Sequence, residues 1–169
     1  MKRELQIATL PVVALRGLVI FPKMMLHFDI GRKKSAAALN AAMEGEREIF
    51  LVAQKDLQED DPKQSDLYAC GVVASVRQVL RLPGTDNIRV VVEGRYRAGL
   101  IELTQDDPFL CGIVREKRTV CARAADVLYQ TALVRHITDL FGDYAEVAPK
   151  VAHDMMIAIL SHDHSGALA

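Results

Sequence analysis

Tyr68-Ala69-Cys70-Gly71-Val72-Val73-Ala74-Ser75-Val76-Arg77-Gln78-Val79-Leu80-Arg81-Leu82, then Pro83-Gly84-Thr85-Asp86, then Asn87-Ile88-Arg89-Val90-Val91-Val92-Glu93: this stretch decides the fold. Both arms are rich in β-branched side chains, which suit a pleated, half-buried surface. The link between them has turn composition, with proline to fix φ and glycine to take conformations other residues avoid. The stretch therefore predicts a β-hairpin, with Val76, Gln78 and Leu80 on one face of the first arm and Arg77, Val79 and Arg81 on the other.

Working outward, Gly94 is expected to break the second arm, residues 98–103 to resume as a strand, Asp106-Asp107-Pro108 to turn the chain, and residues 109–116 to form another strand. Upstream, residues 48–53 are an apolar burst suited to a central strand, and the polar stretch 54–66 is an exposed loop. Residues 32–43 contain neither proline nor glycine and place Ala36, Leu39 and Met43 at helical spacing, so one amphipathic helix is expected there. Residues 10–15 and 24–30 read as early strands, separated by Arg16-Gly17 and Phe21-Pro22. About six short strands and one helix suggest a closed or nearly closed small barrel.

Beyond Arg118 the hydrophobic period changes. Tyr129, Leu133, Ile137, Leu140 and Phe141 fall on one stripe of a helix over residues 121–141, which Gly142 is expected to stop. A second helix over residues 147–162 carries Val151, Met155, Ala158 and Ile159, with Pro149 tolerable in its first turn. The predicted class is α+β: a β-rich domain over residues 1–118 and a helical extension over residues 119–169. The sequence ends where a third helix would begin, which leads us to expect a longer parent protein.

Composition narrows the function classes. The chain has 169 residues, half of them apolar and a quarter charged, with a formal net charge of −1. That balance disfavours both disorder and general polyanion binding. The amino terminus lacks the apolar run of a signal peptide and no stretch has the makings of a spanning helix, so a cytoplasmic location without membrane contact is expected. Cys70, Cys111 and Cys121 are odd in number and never spaced as CxxC, so they read as buried small apolar residues.

No catalytic or metal-ligating constellation emerges. Gly31-Arg32-Lys33-Lys34-Ser35 echoes a phosphate loop but has Leu26 where the upstream glycine is needed and no lysine directly after Gly31, so it is a basic first turn of a helix. His27, His136, His153, His162 and His164 do not form HExxH, neither Ser65 nor Ser75 sits in a nucleophile elbow, and acidic pairs such as Asp106-Asp107 fall at turns. Arg77, Arg81, Arg89, Arg95, Arg97, Arg115, Lys117 and Arg118 could gather on one side of the sheet as a nucleic-acid footprint. The absence of tryptophan and a total of only four tyrosines and five phenylalanines leave few stacking platforms, and nucleic acid is not the expected partner.

The segment from Leu10 to Met24, LPVVALRGLVIFPKM, resembles the opening of the N-terminal domains of Lon-type ATP-dependent proteases, LPxxxLRxxVxFPxM. Gly31-Arg32-Lys33-Lys34-Ser35 resembles that family's GRxKS, Ile49-Phe50-Leu51-Val52-Ala53-Gln54-Lys55-Asp56 its third-strand run, and Asp66-Leu67-Tyr68 with Cys70-Gly71-Val72-Val73-Ala74 its DLYxxGxxA. Leu82-Pro83-Gly84-Thr85 resembles its LPDGT turn, and Val91-Val92-Glu93-Gly94-Arg95-Tyr96-Arg97-Ala98 its VEGxxRA stretch. The matches run in order over residues 10–98; Asp86-Asn87 extends the turn, Lys33 stands where an acidic residue is common, and the match thins after Asp107.

The resemblance implies a PUA-like small β-barrel with one early helix and a C-terminal helical extension. It also implies a non-catalytic module that recognises unfolded or degron-bearing protein substrates and helps organise a homohexamer. Motor and Ser-Lys protease domains, with ATP and Mg, would lie elsewhere in the parent, and no cofactor is expected in this chain. Phe21, Met24 and Met25 are the candidate substrate-contacting residues, because a large ring and two adaptable thioethers meet at a strand junction. Arg32, Lys33 and Lys34 are candidates for a subunit contact, facing an acidic stretch such as residues 58–61 of a neighbour. The alternative is a standalone PUA-like module binding RNA or a small ligand, which fold analogy alone supports.

Overall fold

A computed structural model of the chain describes residues 5–81, 84, 87–118 and 127–147. In chain order the elements are β1 (Ile7–Leu15), β2 (Met25–Ile30), α1 (Lys33–Glu44), β3 (Glu48–Ala53), β4 (Cys70–Arg81), β5 (Ile88–Gln105), β6 (Cys111–Glu116) and α2 (Val127–Val147). The chain divides into two compact units, Met1–Arg118 and Thr119–Ala169; among the described residues the first holds a mixed six-stranded sheet with α1 and the second holds α2.

The sheet order is β2-β5-β4-β3-β1-β6, and β5 also pairs with β6, so the pairings through β5, β4, β3, β1 and β6 close into a circuit. The length of β5 makes this possible. Residues Ile88–Glu93 lie between β2 and β4, whereas Ala98–Gln105 pair with β6, with register shifts after Leu100 and Leu103. Such irregularities bend a strand and increase its twist. β1 also serves two neighbours: Ile7–Pro11 pair antiparallel with β6, and Val12–Leu15 pair parallel with β3. Pro11, with no N–H to give, lies at the changeover. The parallel β1–β3 pairing needs a long crossover, which β2 and α1 supply.

The central strands bury both faces. Val13, Leu15, Ile49, Leu51, Val72, Ala74 and Val76 belong to one cluster together with Ala38, Leu39 and Ala42 of α1. The alternate residues Val12, Ala14, Phe50, Val52 and Val73 belong to a second cluster, joined by Ala98 of β5 and Val114 of β6. Every strand of the closed circuit contributes to that second cluster, in which Phe50 is completely buried. Two-sided burial explains why these strands read as continuous apolar runs without alternation. The α1 helix makes a stripe of Ala38, Leu39 and Ala42 and ends at Gly45.

Several expectations need correction. Gly94 does not break a strand; it lies inside the continuous β5. A Cβ there would meet the Phe21 carbonyl oxygen at 2.2 Å, so the missing side chain makes room for another segment. The two-face alternation in β4 fails because the register shifts between Val76 and Gln78, and Val76 and Val79 pack against the same cluster while Leu80 is exposed. Cys70 is exposed and Cys111 half-buried, not buried as expected; Cys121 lies outside the described residues. Of the hairpin turn at residues 83–86 only Gly84 is described, with φ +81°.

In the second unit α2 continues through Gly142 to Val147, since one glycine costs a helix only about 1 kcal/mol. Leu133, Ile137 and Phe141 are half-buried, but Tyr129 and Leu140, expected on the same stripe, are exposed. The helix expected over residues 147–162 lies outside the described residues, apart from Val147, which ends α2. The two glycines make a paired prediction. Gly94→Ala overpacks a strand against a backbone carbonyl and is expected to destabilise the β-rich unit by about 1–3 kcal/mol. Gly142→Ala meets nothing within 4 Å and is expected to stabilise α2 by about 0.5–1 kcal/mol. Urea unfolding followed by circular dichroism reads both, and a neutral Gly94→Ala would contradict the packing described.

Candidate functional site

After Leu15 the chain leaves the sheet, and residues 16–24 form a connection whose backbone is fixed at several points. Gly17 takes φ +62°, and Ile20 is 4% exposed, driven into the α1-side cluster as an anchor. Phe21-Pro22-Lys23-Met24 is a β-turn in which the Met24 N–H donates to the Phe21 carbonyl at 3.2 Å. Proline in second position and a positive φ of 68° at Lys23 are the signature of a type II turn. The turn lies on Gly94, with the Lys23 N–H donating to the Gly94 carbonyl at 2.8 Å and the Gly94 N–H to the Met24 carbonyl at 2.9 Å.

The consequence is an exposed apolar surface on a pinned backbone. Leu18, Val19, Phe21, Met24 and Met25 are all exposed, Val19 by 58% and Met25 by 55%. Single exposed apolar residues need no explanation, but several on one short segment make it a candidate interaction surface. Phe21, Met24 and Met25, the sequence-derived candidates, lie within this segment. Leu18 and Val19 were not singled out, because an apolar run between two strands reads as core. Their signal was the Arg16-Gly17 step before them, which takes the run out of strand geometry. A cleft of about 180 Å³ adjoins the segment, lined by Leu18, Val19, Phe21, Leu51, Val72 and Arg97 among others.

The basic start of α1 has a different setting. Lys34 Nζ donates to Asp61 at 2.6 Å and to Asp106 at 2.9 Å, and Lys63 Nζ to the same two carboxylates at 3.1 and 2.5 Å, so four charges alternate in a ring. Arg32 donates to Gln54 Oε1 at 3.0 Å and to the Glu59 carbonyl at 3.2 Å; Arg16 donates to the same carbonyl at 2.9 Å and to the Asp60 carboxylate. Gln54 is 3% exposed, and its amide donates to the carbonyls of Asp56 and Glu59. Pro62 is buried under the same loop, beside Val12, Ala14 and Leu110. The acidic stretch 58–61 that sequence reasoning set on a neighbouring subunit thus meets Arg32 and Lys34 of its own chain, while Lys33 is exposed.

This ring fixes proton affinities. The Lys34 ammonium first and Lys63 second hold Asp61 below its ordinary 3.8, and Lys63 then Lys34 do the same to Asp106. In return, hydrogen bonds to Asp61 and Asp106 raise Lys34, and those to Asp106 and Asp61 raise Lys63, above 10.5. Lowered carboxylates contribute stability above their unfolded value and lose it as pH falls through the folded one. Raised lysines contribute below theirs and lose it as pH rises through the folded one. The ring is therefore intact between these limits and opens in acid or strong base. Because it is exposed, salt weakens it.

On the sheet, Arg77 pairs with Glu93, and Arg89 pairs with Asp29 at 2.8 Å, so two members of the suspected basic footprint are neutralised locally. Arg95 donates to Ser75 Oγ at 3.2 Å. Among the described residues no three His, Cys, Asp or Glu side chains come together as a metal site, and no helix is long and apolar enough to cross a membrane.

Residues 9–169 match the family model described as the ATP-dependent protease La (LON) substrate-binding domain. The Lon protease of Syntrophomonas wolfei subsp. wolfei is 36% identical over 160 residues, covering 95% of this chain and 19% of that protein. The Lon protease of Bacillus thuringiensis (strain Al Hakam) is 36% identical over 159 residues, covering 94% of this chain and 20% of that protein. The chain thus spans about a fifth of the length of these relatives. In fold it is similar to the N-terminal domain of the Mycobacterium avium complex Lon protease, with a TM-score of 0.72 at 18% identity, covering 95% of this chain and 79% of that one.

The loop ring yields a measurable consequence. In a carboxyl-detected NMR titration, Asp61 and Asp106 are expected to titrate below an ordinary aspartate, and Lys63→Met to move both upward, Asp106 more. Unchanged midpoints in the variant would contradict the ring.

Proposed function

This chain belongs to the family of ATP-dependent protease La (LON) substrate-binding domains, and from that premise we propose that it is a non-catalytic module holding protein substrates on the apolar surface of residues 18–25. The observation that carries the proposal is the exposure of Leu18, Val19, Phe21, Met24 and Met25 on and beside a turn whose backbone is hydrogen-bonded to Gly94. A preorganised backbone lowers the entropy cost of binding. Flexible thioethers beside it adapt to partners of varied sequence, as a protein that selects unfolded chains requires.

Within this proposal the closed circuit of strands is the PUA-like barrel, and residues 1–118 and 119–169 are the recognition domain and its helical extension. The parent is proposed to be a cytoplasmic ATP-dependent serine protease that degrades misfolded and tagged proteins. Its ATP, Mg and Ser-Lys dyad would belong to regions outside this chain. We also retain self-association within a homohexamer. Because Arg32 and Lys34 are occupied by the loop of their own chain, Lys33 carries more of the proposed subunit contact than its neighbours. A standalone RNA-binding role is not favoured, since Arg77 and Arg89 are spent on Glu93 and Asp29.

The test is the affinity of the full chain for reduced, carboxymethylated lactalbumin, a permanently unfolded protein. Met24→Glu is expected to weaken binding about tenfold, roughly 1.4 kcal/mol, the scale of an interface residue that contributes measurably without being a dominant hot spot. Phe21→Ser is expected to do the same, and Lys33→Glu to leave this affinity unchanged. Undiminished binding by a folded Met24→Glu, Phe21→Ser double variant would remove the surface from the site.

A further inference from the structure

The cleft beside residues 18–25 has a chemistry that apolar capture alone does not use. At about 180 Å³ it is smaller than the roughly 300–1,000 Å³ of small-molecule sites, so it fits a side chain and not a whole ligand. Leu18, Val19 and Phe21 line it from the connection and Leu51 and Val72 from the strands beneath; among the described residues Arg97 is the one charged group in its wall.

Several arginines are occupied by carboxylates, and Arg97 is not one of them. Arg77 is paired with Glu93, Arg89 with Asp29 and Arg16 with Asp60, each in contact with a carboxylate. Arg97 has no salt bridge and no side-chain hydrogen bond among the described residues; its guanidinium carbon stands 6.0 Å from the centroid of the Phe21 ring. Its backbone is fixed, opposite Val72 in the β4–β5 pairing and with its carbonyl accepting the Lys117 N–H at 2.8 Å. The group is half-buried, permanently charged, and carries N–H donors in a planar fork that matches a carboxylate. Apolar walls make such a pairing stronger than it would be on an open surface.

We infer that this cleft binds a carboxylate placed next to an apolar side chain on a substrate polypeptide, the side chain entering between Val19, Phe21 and Leu51 and the carboxylate pairing with Arg97. The inference rests on the proposal that the 18–25 surface holds protein substrates, and gives that surface a preference. The carboxylate comes either from a chain end with an apolar last residue or from an aspartate or glutamate adjoining an apolar one. Arg97 then decides which apolar segments bind, while Phe21 orients its guanidinium.

Three fluorescently labelled octapeptides with the same leucine- and phenylalanine-rich end test this on the full chain by anisotropy. One ends in a free carboxylate, one is amidated, and one is amidated with an aspartate before the final phenylalanine. The free acid is expected to bind about tenfold more tightly than the plain amide, as for a charge-assisted hydrogen-bonded pair. Arg97→Gln is expected to abolish the difference between the acid and the amide, and Arg97→Lys to keep part of it. The aspartate peptide tells the two sources apart: affinity like the free acid means acidic side chains serve, and affinity like the plain amide means the chain end is required. Equal binding of acid and both amides to the unaltered chain would overturn the inference while leaving apolar capture standing, as would a persistent difference in Arg97→Gln. If neither peptides nor unfolded lactalbumin bind, both readings fall. The unaltered chain alone decides the first comparison should Arg97→Gln fail to fold.

Discussion

The rest of the structure depends on one constraint: β1, β3 and β4 bury both faces. A strand such as Ile49-Phe50-Leu51-Val52 sends alternate side chains to opposite clusters, and neither cluster can face water. On one side α1 and the β2–β5 ladder provide the cover. On the other the sheet covers itself, because β5 is long enough to reach β6 after leaving β4, and Phe50 lies enclosed by side chains from all the other strands of the circuit. The closure also removes most unpaired sheet edges, which would otherwise template association.

That arrangement determines where apolar residues are left over. The connection from β1 to β2 must travel around the outside of a sheet whose two clusters are already filled. It spends Ile20 as an anchor and leaves Leu18, Val19, Phe21, Met24 and Met25 outward. Exposed apolar groups on a loose loop would collapse or vary; here Gly94, by lacking a side chain, allows two backbone hydrogen bonds to fix the turn. The same glycine serves fold and site at once. The loop after β3 is held by other means, a buried amide at Gln54 and a ring of alternating charges, so the turn at Phe21–Met24 is set by packing while this loop depends on pH and salt.

Much of this was legible in the residues. The spacing of Ala36, Leu39 and Met43 fits α1, the apolar burst before Gln54 is β3, and the β-branched arms around Gly84 are β4 and the start of β5. What was not legible depends on contacts between segments far apart in sequence. Gly94 looks like a strand breaker until Phe21 and Pro22 are placed against it. Arg32 and Lys34 look like free charges until the loop from Asp56 to Asp66 folds onto them. The bulge at Arg77 reverses the face of every residue after it, which a strict period of two cannot anticipate. The substrate candidates Phe21 and Met24 came from residue type and a strand junction, whereas Leu18, Val19 and Arg97 needed the geometry.

The central claim is that the pinned turn, and not another surface, meets unfolded polypeptide. Methyl-labelled methionine gives the most direct view, because Met24 closes the turn and Met25 follows it at the start of β2, both exposed, while Met43 packs at the edge of the core. On titration with carboxymethylated lactalbumin, the Met24 and Met25 methyl resonances are predicted to shift and broaden while Met43 stays in place. Binding that leaves Met24 and Met25 unmoved would contradict the account.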